Sequence, residues 1–136
     1  MAQLPRGQGI LIDTSVLIAH LRGRLALQDL VQGYGDLYVS AITLYELDYG
    51  AYKAGRSSDF ARLKEAFRPA VLAVGAEEAE RAAQANGALA RRNRQIGPRD
   101  ALIAGTALAH DVALLTLNAS EFERIADLRV IVPPAS

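Results

Sequence analysis

Short apolar segments alternate with longer helical patterns along the whole chain, and this alternation limits its fold more than any other feature. Strand signals that are each followed by a helical pattern predict an α/β fold with a mainly parallel sheet, because parallel strands need crossover connections. The predicted strands are residues 10–12, 37–39, 71–74, 112–116 and 130–132. The predicted helices are residues 15–22, 25–31, 41–54, 58–67, 77–94 and 98–109, with a short helical turn at 120–124.

Several local signals support these helices. Ser40 directly follows a predicted strand and can cap the next helix, while Pro98 suits a first helical turn, where an N–H would be unpaired anyway. Tyr45 and Tyr49 recur at helical spacing in the third helix. Residues 76–90 are rich in alanine, which predicts a helix that packs closely through small side chains.

The composition indicates an ordinary globular protein. A chain of 136 residues, 51% of them hydrophobic, is expected to form one domain over residues 1–136. No apolar run approaches the roughly 20 residues of a membrane helix, and no segment has the pattern of a signal peptide, so we expect a cytoplasmic protein without membrane contacts. The sequence contains no cysteine, so a bound metal ion would need oxygen or imidazole ligands. Fifteen basic residues balance fifteen acidic ones, which leaves only local clusters of charge to bind a polyanion.

Acidic residues occur just after predicted strands or in the first turns of helices. Asp13 ends the first strand, Glu46 lies roughly one and a half turns into the third helix, and Asp100 lies in the first turn of the sixth helix. Asn118 and Glu121 follow the fourth strand. Open parallel sheets bind ligands beyond the carboxyl ends of their strands, near the point where the strand order reverses. We therefore expect these side chains to meet at one edge of the sheet.

Four of these residues also have a purely structural interpretation. Asp13 could cap the first helix by accepting a hydrogen bond from an N–H two or three residues later. Glu46 could be a solvated helix position, and Asp100 could favour the dipole of its helix. Asn118 could cap the last helical turn. The shared position of all these residues favours a functional site over four separate roles.

Clustered carboxylates need a counter-charge. Two of them about 4 Å apart repel by roughly 4 kcal/mol at an effective dielectric constant of about 20. No lysine or histidine lies beside these acids in the sequence, so the predicted counter-charge is a hard divalent cation, Mg²⁺ or Mn²⁺. Such an ion activates water and neutralises charge that develops on a phosphoryl group.

A metal-free ribonuclease would instead use histidine as an acid or a base. His20 lies two helical turns after Asp13, about 10 Å along the axis, and His110 lies about 15 Å beyond Asp100. We therefore interpret both histidines as surface or helix-end residues.

Four segments carry a further signal as an ordered set. They read D-T-S-V-L-I from residue 13, S-A-I-T-L-Y-E-L-D-Y-G from residue 40, R-D-A-L-I-A-G-T-A-L-A-H from residue 99 and L-L-T-L-N-A-S-E-F from residue 114. Together they resemble the motifs of PIN-domain nucleases, specifically VapC-type toxins of bacterial and archaeal toxin–antitoxin pairs. The resemblance spans nearly the whole chain. It implies a three-layer α/β/α fold with a five-stranded, mainly parallel sheet, and a Mg²⁺-dependent endoribonuclease that forms a homodimer and is inhibited by a cognate antitoxin protein.

The resemblance also implies roles for individual residues. The three most regular acidic ligands of the family match Asp13, Glu46 and Asp100, which we predict to be catalytic and to bind the metal ion. The polar residues that orient the site match Thr14 or Ser15, and Thr116. Many members have aspartate where this chain has Asn118, and Glu121 stands where others place an aspartate. Glu121 is therefore the predicted fourth metal ligand, and Asn118 is a supporting residue.

An arginine-rich segment precedes Asp100 and is the predicted contact for RNA. It contains Arg91, Arg92, Arg94 and Arg99. We predict that these side chains bind phosphates beside the metal ion. The alternative is a solvated basic helix end that is favoured by the helix dipole.

The mechanistic hypothesis is that Asp13 and Asp100 coordinate Mg²⁺, directly or through water, while Glu46 orients or deprotonates the attacking water. Hydrolysis by metal-activated water leaves 5′-phosphate and 3′-hydroxyl ends. The leading alternative function is a catalytically weak PIN-like module that binds RNA or a protein without cutting. A small-molecule phosphohydrolase is disfavoured, because the sequence contains no glycine-rich phosphate loop.

Overall fold

The computed structural model describes residues 8–134. The strands are β1 (Ile10–Ile12), β2 (Leu37–Ser40), β3 (Ala70–Leu72), β4 (Ala113–Leu115) and β5 (Val130–Ile131). The helices are α1 (Thr14–Leu21), α2 (Leu27–Leu30), α3 (Ala41–Ala54), α4 (Ser57–Phe67), α5 (Ala76–Ala90), α6 (Pro98–His110) and α7 (Ala119–Phe122). Every strand and helix predicted from the sequence is present. None of the helices in this described part of the chain is long and apolar enough to cross a membrane.

All five strands are parallel and lie in the order β3-β2-β1-β4-β5. The central strand is β1, in which Ile10 pairs with Leu37 of β2 and Ile12 pairs with Leu115 of β4. The chain proceeds outward from β1 through β2 to β3 on one side and from β4 to β5 on the other, so the strand order reverses between β1 and β4. The crevice beyond the carboxyl ends of these two strands is where an open sheet binds its ligand.

Helices cover both faces of the sheet, and the side chains of β1 alternate between them. Leu11 packs on one face with Ile103 of α6 and Phe122 of α7. Ile10 and Ile12 pack on the other face among residues of α1, α3 and α4. Because successive strand residues point to opposite faces, a strand that is buried on both faces is apolar throughout. The predicted α/β class and the three-layer arrangement are confirmed.

Helices α5 and α6 approach each other through small residues. A Cβ atom placed on Gly105 of α6 would lie 2.5 Å from the carbonyl oxygen of Glu78 and 2.7 Å from the Cβ atom of Ala82, both in α5. The crossing therefore has no room for a side chain at this position, as expected in a closely packed interior. The alanine-rich segment forms the closely packed helix that its composition predicts.

Both predictions about helix starts are confirmed. Ser40 caps α3, because its hydroxyl oxygen accepts a hydrogen bond of 3.1 Å from the N–H of Ile42. Pro98 occupies the first turn of α6. Both signals depend on residues close in sequence, so they can be recognised before the fold is known.

The tyrosine repeat of α3 predicts the helix correctly but lies on its outer surface. Tyr45 is 66% exposed and Tyr49 is 55% exposed, whereas Thr43 and Leu47 are buried. The two tyrosine rings stack on each other, with centroids 5.8 Å apart. Helical spacing of large side chains therefore does not show by itself which face of a helix packs inward.

The predicted helix over residues 77–94 is wrong at its end, because α5 stops at Ala90. Asn93 has a φ of 56°, a left-handed conformation that interrupts a helix. The side chain of Asn86 also pairs with the N–H and the carbonyl group of Ile96, at 2.8 and 2.9 Å. This contact folds the arginine-rich segment back as a turn toward α5.

Candidate active site

The acidic residues predicted from the sequence meet at the carboxyl edge of the sheet. Asp13 follows β1, Glu46 lies in the second turn of α3, and Asp100 lies in the first turn of α6. All three contact the guanidinium group of Arg99, whose Nη2 lies 3.9 Å from Asp13 Oδ1 and whose Nε lies 2.5 Å from Glu46 Oε2. The structure therefore brings the three acids together around one cation that belongs to the chain itself.

Asp13 is held by hydroxyl groups. Its side chain makes no capping hydrogen bond to α1, so the structural interpretation of this residue is wrong. Instead its Oδ2 accepts hydrogen bonds of 2.8 Å from Ser15 and 2.8 Å from Thr116. Those hydroxyl oxygens in turn accept the backbone N–H groups of Leu117, at 3.1 Å, and Asn118, at 2.9 Å. Because the backbone occupies the lone pairs of both hydroxyls, their protons are directed at Asp13.

The other oxygen of Asp13 has no hydrogen bond. The residue is only 2% exposed, and its Oδ1 is a buried polar atom without a donor. Buried carboxylate oxygens are nearly always paired, because desolvation without a partner is costly. Oδ1 therefore has an ionic contact with Arg99 at 3.9 Å but no hydrogen-bond donor, so it can still accept a hydrogen bond or coordinate a ligand.

Glu46 is bound to Arg99 by both of its oxygens. Nε of Arg99 donates to Oε2 at 2.5 Å and Nη2 donates to Oε1 at 2.7 Å. The hydroxyl of Thr14 donates a further hydrogen bond of 2.8 Å to Oε1 and lies 2.9 Å from the hydroxyl of Thr43. The hydrogen bonds from Arg99 hold the pKa of Glu46 below its ordinary value against the opposing effect of burial, so Glu46 is ionised.

The environment of Asp100 shifts its pKa in the direction opposite to that of Glu46. Arg99 donates to it through Nη1, but the carboxyl group of Glu121 also lies within hydrogen-bonding contact. Burial raises the pKa of Asp100 above its ordinary value, and the contact with Glu121 raises it further. A second carboxyl group in contact with Asp100 disfavours the ionised form of Asp100. The cluster therefore contains four carboxyl groups, as the sequence predicts, including that of Glu121.

Arg99 supplies a counter-charge where the sequence predicts only a metal ion. Among residues 8–134, the aspartate, glutamate and histidine side chains form no group of three that could hold a metal ion as they stand. From the sequence, Arg99 is predicted to bind RNA phosphates, and that role stays a prediction; in the structure its side chain lies among the acids, which the sequence analysis does not predict. The signal for its actual position was its place directly before Asp100 in the chain.

The other predicted RNA-binding arginines lie elsewhere. Arg91 and Arg92 line a surface groove of about 870 Å³, together with Arg81 of α5 and Arg124, which follows α7. The side chain of Arg124 donates to the backbone carbonyl of Arg94, at 3.3 Å. None of the acidic site residues lines this groove. The structure thus divides the predicted phosphate-binding set between two places.

The remaining predicted site residues have limited roles. Asn118 is exposed, makes no side-chain cap of α7, and contributes its backbone N–H to Thr116. His20 accepts the N–H of Leu27 at 3.0 Å, and His110 lies 3.3 Å from Glu78, so neither histidine contacts the acids. Sequence reasoning missed Thr43, Arg81, Arg124 and the N–H of Leu117, because each enters through a contact between distant segments.

Fold and site define the class of this protein, a parallel α/β domain with an acidic centre at the reversal of strand order. A family model described as PIN domain matches residues 10–128. Ribonuclease VapC1 of Rickettsia felis is 35% identical over 130 residues, which cover 90% of this chain and 95% of that protein. The tRNA(fMet)-specific endonuclease VapC of Shigella flexneri is 33% identical over 123 residues, covering 88% of this chain and 93% of that protein.

A solved structure is also similar. A toxin–antitoxin complex from Klebsiella pneumoniae matches with a TM-score of 0.71 and 26% identity, covering 92% of this chain and 98% of the matched chain. The chain therefore belongs to the PIN-domain family, and within it to the VapC ribonucleases. The family resemblance of its four sequence motifs is confirmed.

Proposed function

We propose that this protein is a Mg²⁺-dependent endoribonuclease, with Mn²⁺ as an alternative cofactor, and that it acts as the toxin of a type II toxin–antitoxin pair. The observation that carries the proposal is Asp13 Oδ1, a buried oxygen without a hydrogen bond in a cluster of four carboxyl groups. The relatives named as ribonuclease and as tRNA(fMet)-specific endonuclease support an RNA substrate.

The donor set fits a hard divalent cation. Carboxylate oxygens are the ligands that such ions prefer, and Asp13, Glu46, Asp100 and Glu121 supply them in one cluster. When bound, the ion lowers the pKa of a coordinated water and neutralises charge on the phosphoryl group. Asp13 Oδ1 is the ligand atom that already lacks a hydrogen bond.

The chain's own residues orient the reaction. Ser15 and Thr116 fix the plane of the Asp13 carboxylate, and Thr14 fixes Glu46. Glu46 is the group placed to orient the attacking water or to accept its proton. While Arg99 keeps the pKa of Glu46 low, Glu46 is a weak base, because an effective general base needs a pKa closer to the working pH. Attack of water on phosphorus, with the P–O3′ bond breaking and the 3′ oxygen leaving as a hydroxyl, gives 5′-phosphate and 3′-hydroxyl ends.

The surface groove that contains Arg81, Arg91, Arg92 and Arg124, called the arginine groove below, is the proposed contact for the RNA backbone. Four arginines and a single acidic residue, Asp127, line it. Within residues 8–134, none of these four arginines forms an ion pair with a carboxylate. A surface with unneutralised guanidinium groups binds phosphates and releases their counterions. A protein with no net charge can therefore still hold a polyanion at one place.

We propose two protein partners as well. A cognate antitoxin is supported by the similarity to a chain from a toxin–antitoxin complex. A homodimer is implied by the family resemblance. Co-expression with any short open reading frame found beside the gene tests the first partner, and light scattering coupled to size-exclusion chromatography tests the second.

The decisive experiment is cleavage of cellular RNA by the purified protein with Mg²⁺, with Mn²⁺ and with EDTA. We expect cleavage with either ion, no cleavage with EDTA, and products with 5′-phosphate and 3′-hydroxyl ends. Asp13→Asn protein purified in parallel excludes a contaminating nuclease. Products with 2′,3′-cyclic phosphate, or cleavage that persists in EDTA, would sink the mechanism.

A second candidate function is a PIN-like module that binds RNA or protein without cutting. The observation that favours it is the engagement of the acids by Arg99, which leaves them without a metal site as they stand. The same experiment separates the two functions when RNA binding is measured beside cleavage. Tight binding without cleavage in either metal ion identifies the binding module.

A further inference from the structure

The guanidinium group of Arg99 fills the centre of the acid cluster. Its Nε and Nη2 bind the two oxygens of Glu46, its Nη1 binds Asp100, and Nη2 also lies 3.9 Å from Asp13. Every nitrogen of the group therefore faces a carboxylate. A planar guanidinium that meets a carboxylate through two parallel hydrogen bonds forms the strongest geometry available to an ion pair of this kind.

The lone pairs that bind Arg99 are the ones that a divalent cation would need. Both oxygens of Glu46 and one oxygen of Asp100 are engaged by N–H donors. A carboxylate oxygen that points its lone pair at a guanidinium proton cannot also direct it at a metal ion. Asp13 Oδ1 is different, since it lies at 3.9 Å from Arg99 and accepts no hydrogen bond.

Arg99 can leave without disturbing the core. Its side chain is 40% exposed, whereas that of Asp13 is 3% exposed. Its backbone belongs to the first turn of α6, and that helix is anchored by core residues such as Ala101, Ile103 and Ala104, which do not involve the Arg99 side chain. A long side chain at the rim of a site exchanges rotamers rapidly, while its backbone stays fixed.

From these contacts we infer that Arg99 is a resident counter-ion that competes with the divalent cation for Glu46 and Asp100. In the metal-free protein Arg99 neutralises the acids and keeps them together. A bound metal ion would be held by Asp13 Oδ1, which has no hydrogen bond, together with Glu46 and Asp100, and Arg99 would have to release these two carboxylates. This inference rests on the proposed metal-dependent function, and it adds that the apo site is held closed by the chain itself.

Metal affinity tests the inference without using RNA cleavage. Mn²⁺ binding is measured by isothermal titration calorimetry on wild type, Arg99→Gln and Arg56→Gln. The control removes the same charge from an exposed ion pair with Asp59, at 2.9 Å, away from the acids. We expect Arg99→Gln to bind Mn²⁺ more tightly by at least a factor of about ten, which is the factor for losing only one of the charge-assisted hydrogen bonds that compete. The control should bind as wild type does.

Thermal unfolding of the same proteins gives a second readout. Without metal, Arg99→Gln should unfold at a lower temperature than wild type, because its carboxylates lack a counter-charge. Its unfolding temperature should then rise more than that of wild type when Mn²⁺ is added. Equal or weaker Mn²⁺ binding by Arg99→Gln would overturn the inference and leave the metal-dependent nuclease intact. Absence of Mn²⁺ binding in both proteins would overturn the inference together with the proposed cofactor.

A measurement on wild type covers the case in which Arg99→Gln does not fold. The Nε–H resonance of Arg99 is followed by NMR during a Mg²⁺ titration. While it is bonded to Glu46 this proton is protected from exchange with water, and displacement should shift it and accelerate its exchange. An unchanged Nε–H resonance at saturating Mg²⁺ would contradict displacement.

Discussion

The two halves of the acid cluster are built differently. Asp13, at the centre of the sheet, is 2% exposed and is fixed by two hydroxyls that are themselves anchored by backbone N–H groups. Glu46 and Asp100 approach from α3 and α6, their side chains are 28% and 14% exposed, and both are held by the side chain of Arg99. One half is therefore preformed by the backbone, while the other is held by a single side chain.

The largest expected effect belongs to the preformed half. Asp13→Asn keeps the size of the side chain but removes the carboxylate whose Oδ1 is the only buried side-chain oxygen within residues 8–134 without a hydrogen-bond partner. We expect the cleavage rate to fall by about 10²- to 10³-fold, the range for removing one group that stabilises charge in a transition state. RNA cleavage assays measure this loss, and circular dichroism confirms that the fold is retained. Asp29→Asn, an exposed change in α2, serves as control, and a loss below about tenfold for Asp13→Asn would contradict the central role of Asp13.

The hydroxyl support of Asp13 should have the next largest effect. Thr116→Val removes the proton donated to Asp13 Oδ2 and leaves the N–H of Asn118 without its acceptor. Partners of this kind typically contribute about 10- to 100-fold to metal affinity or activity. We expect losses in that range in both Mn²⁺ binding and cleavage.

The matched control for this change is Thr106→Val. Thr106 is equally buried, but its hydroxyl bonds to the carbonyl group of Leu102 within α6. It should alter stability without altering Mn²⁺ affinity. Equal losses in the two variants would show that Thr116 acts through general packing and not through Asp13.

Substitutions in the arginine groove should affect RNA binding but not metal binding, in contrast to those in the acid cluster. Arg91→Gln combined with Arg92→Gln should weaken RNA binding about tenfold near physiological salt, and should reduce the slope of log affinity against log salt by about 0.7 for each phosphate that the variant no longer binds. Mn²⁺ affinity should not change, because neither arginine contacts the acids. Fluorescence anisotropy over a salt series measures the slope. An unchanged slope would remove these arginines from the RNA interface.

How far the sequence predicted these features depended on the range of the contacts. The position of Asp13 could be predicted because an apolar strand buried on both faces makes a carboxylate at its end conspicuous. For Arg99 the only signal was its place beside Asp100; its contacts with Asp13 and Glu46 could not be predicted, because they join segments that are distant in the sequence. The division between Arg99 and the groove arginines was equally hidden, because it follows from the Asn86 contact that turns the chain after α5.

The half of the cluster that Arg99 holds should also make the stability of the fold depend on pH. Glu46 has a pKa below its ordinary value of about 4.5, so its pairing with Arg99 stabilises the fold above that value and is lost as the pH falls through the lowered pKa. Without metal, Glu46→Gln should reduce the free energy of unfolding by about 1 kcal/mol near pH 7, a modest value because the pair is partly exposed. Urea denaturation in EDTA measures this difference. If the difference in the free energy of unfolding between wild type and Glu46→Gln does not decrease at acidic pH, the effect comes from packing and not from the ion pair.

The smallest expected effect has the opposite sign and comes from the neighbouring acid. The pKa of Asp100 is raised by burial and by Glu121, so the folded state binds its proton more tightly than the unfolded state does. The resulting stabilisation is present below the ordinary pKa of about 4 and is lost as the pH rises through the raised pKa. In EDTA near pH 7, Asp100→Asn should therefore stabilise the fold, by no more than about 1 kcal/mol because the site is partly solvated.

This gain should disappear as the pH falls toward the ordinary pKa, where wild-type Asp100 is protonated and resembles the asparagine. Arg99 keeps both bonds to Glu46 in the variant, so the weaker pairing of Arg99 with residue 100 offsets only part of the gain. The same urea series, with the two variants in parallel, should give curves that diverge in opposite directions from wild type as the pH rises. If Asp100→Asn were less stable than wild type near pH 7, Arg99 and not Glu121 would dominate the environment of Asp100. The contributions of Glu46 and Asp100 to stability would then change with pH in the same direction. The two acids would behave with Arg99 as a single ion-paired unit.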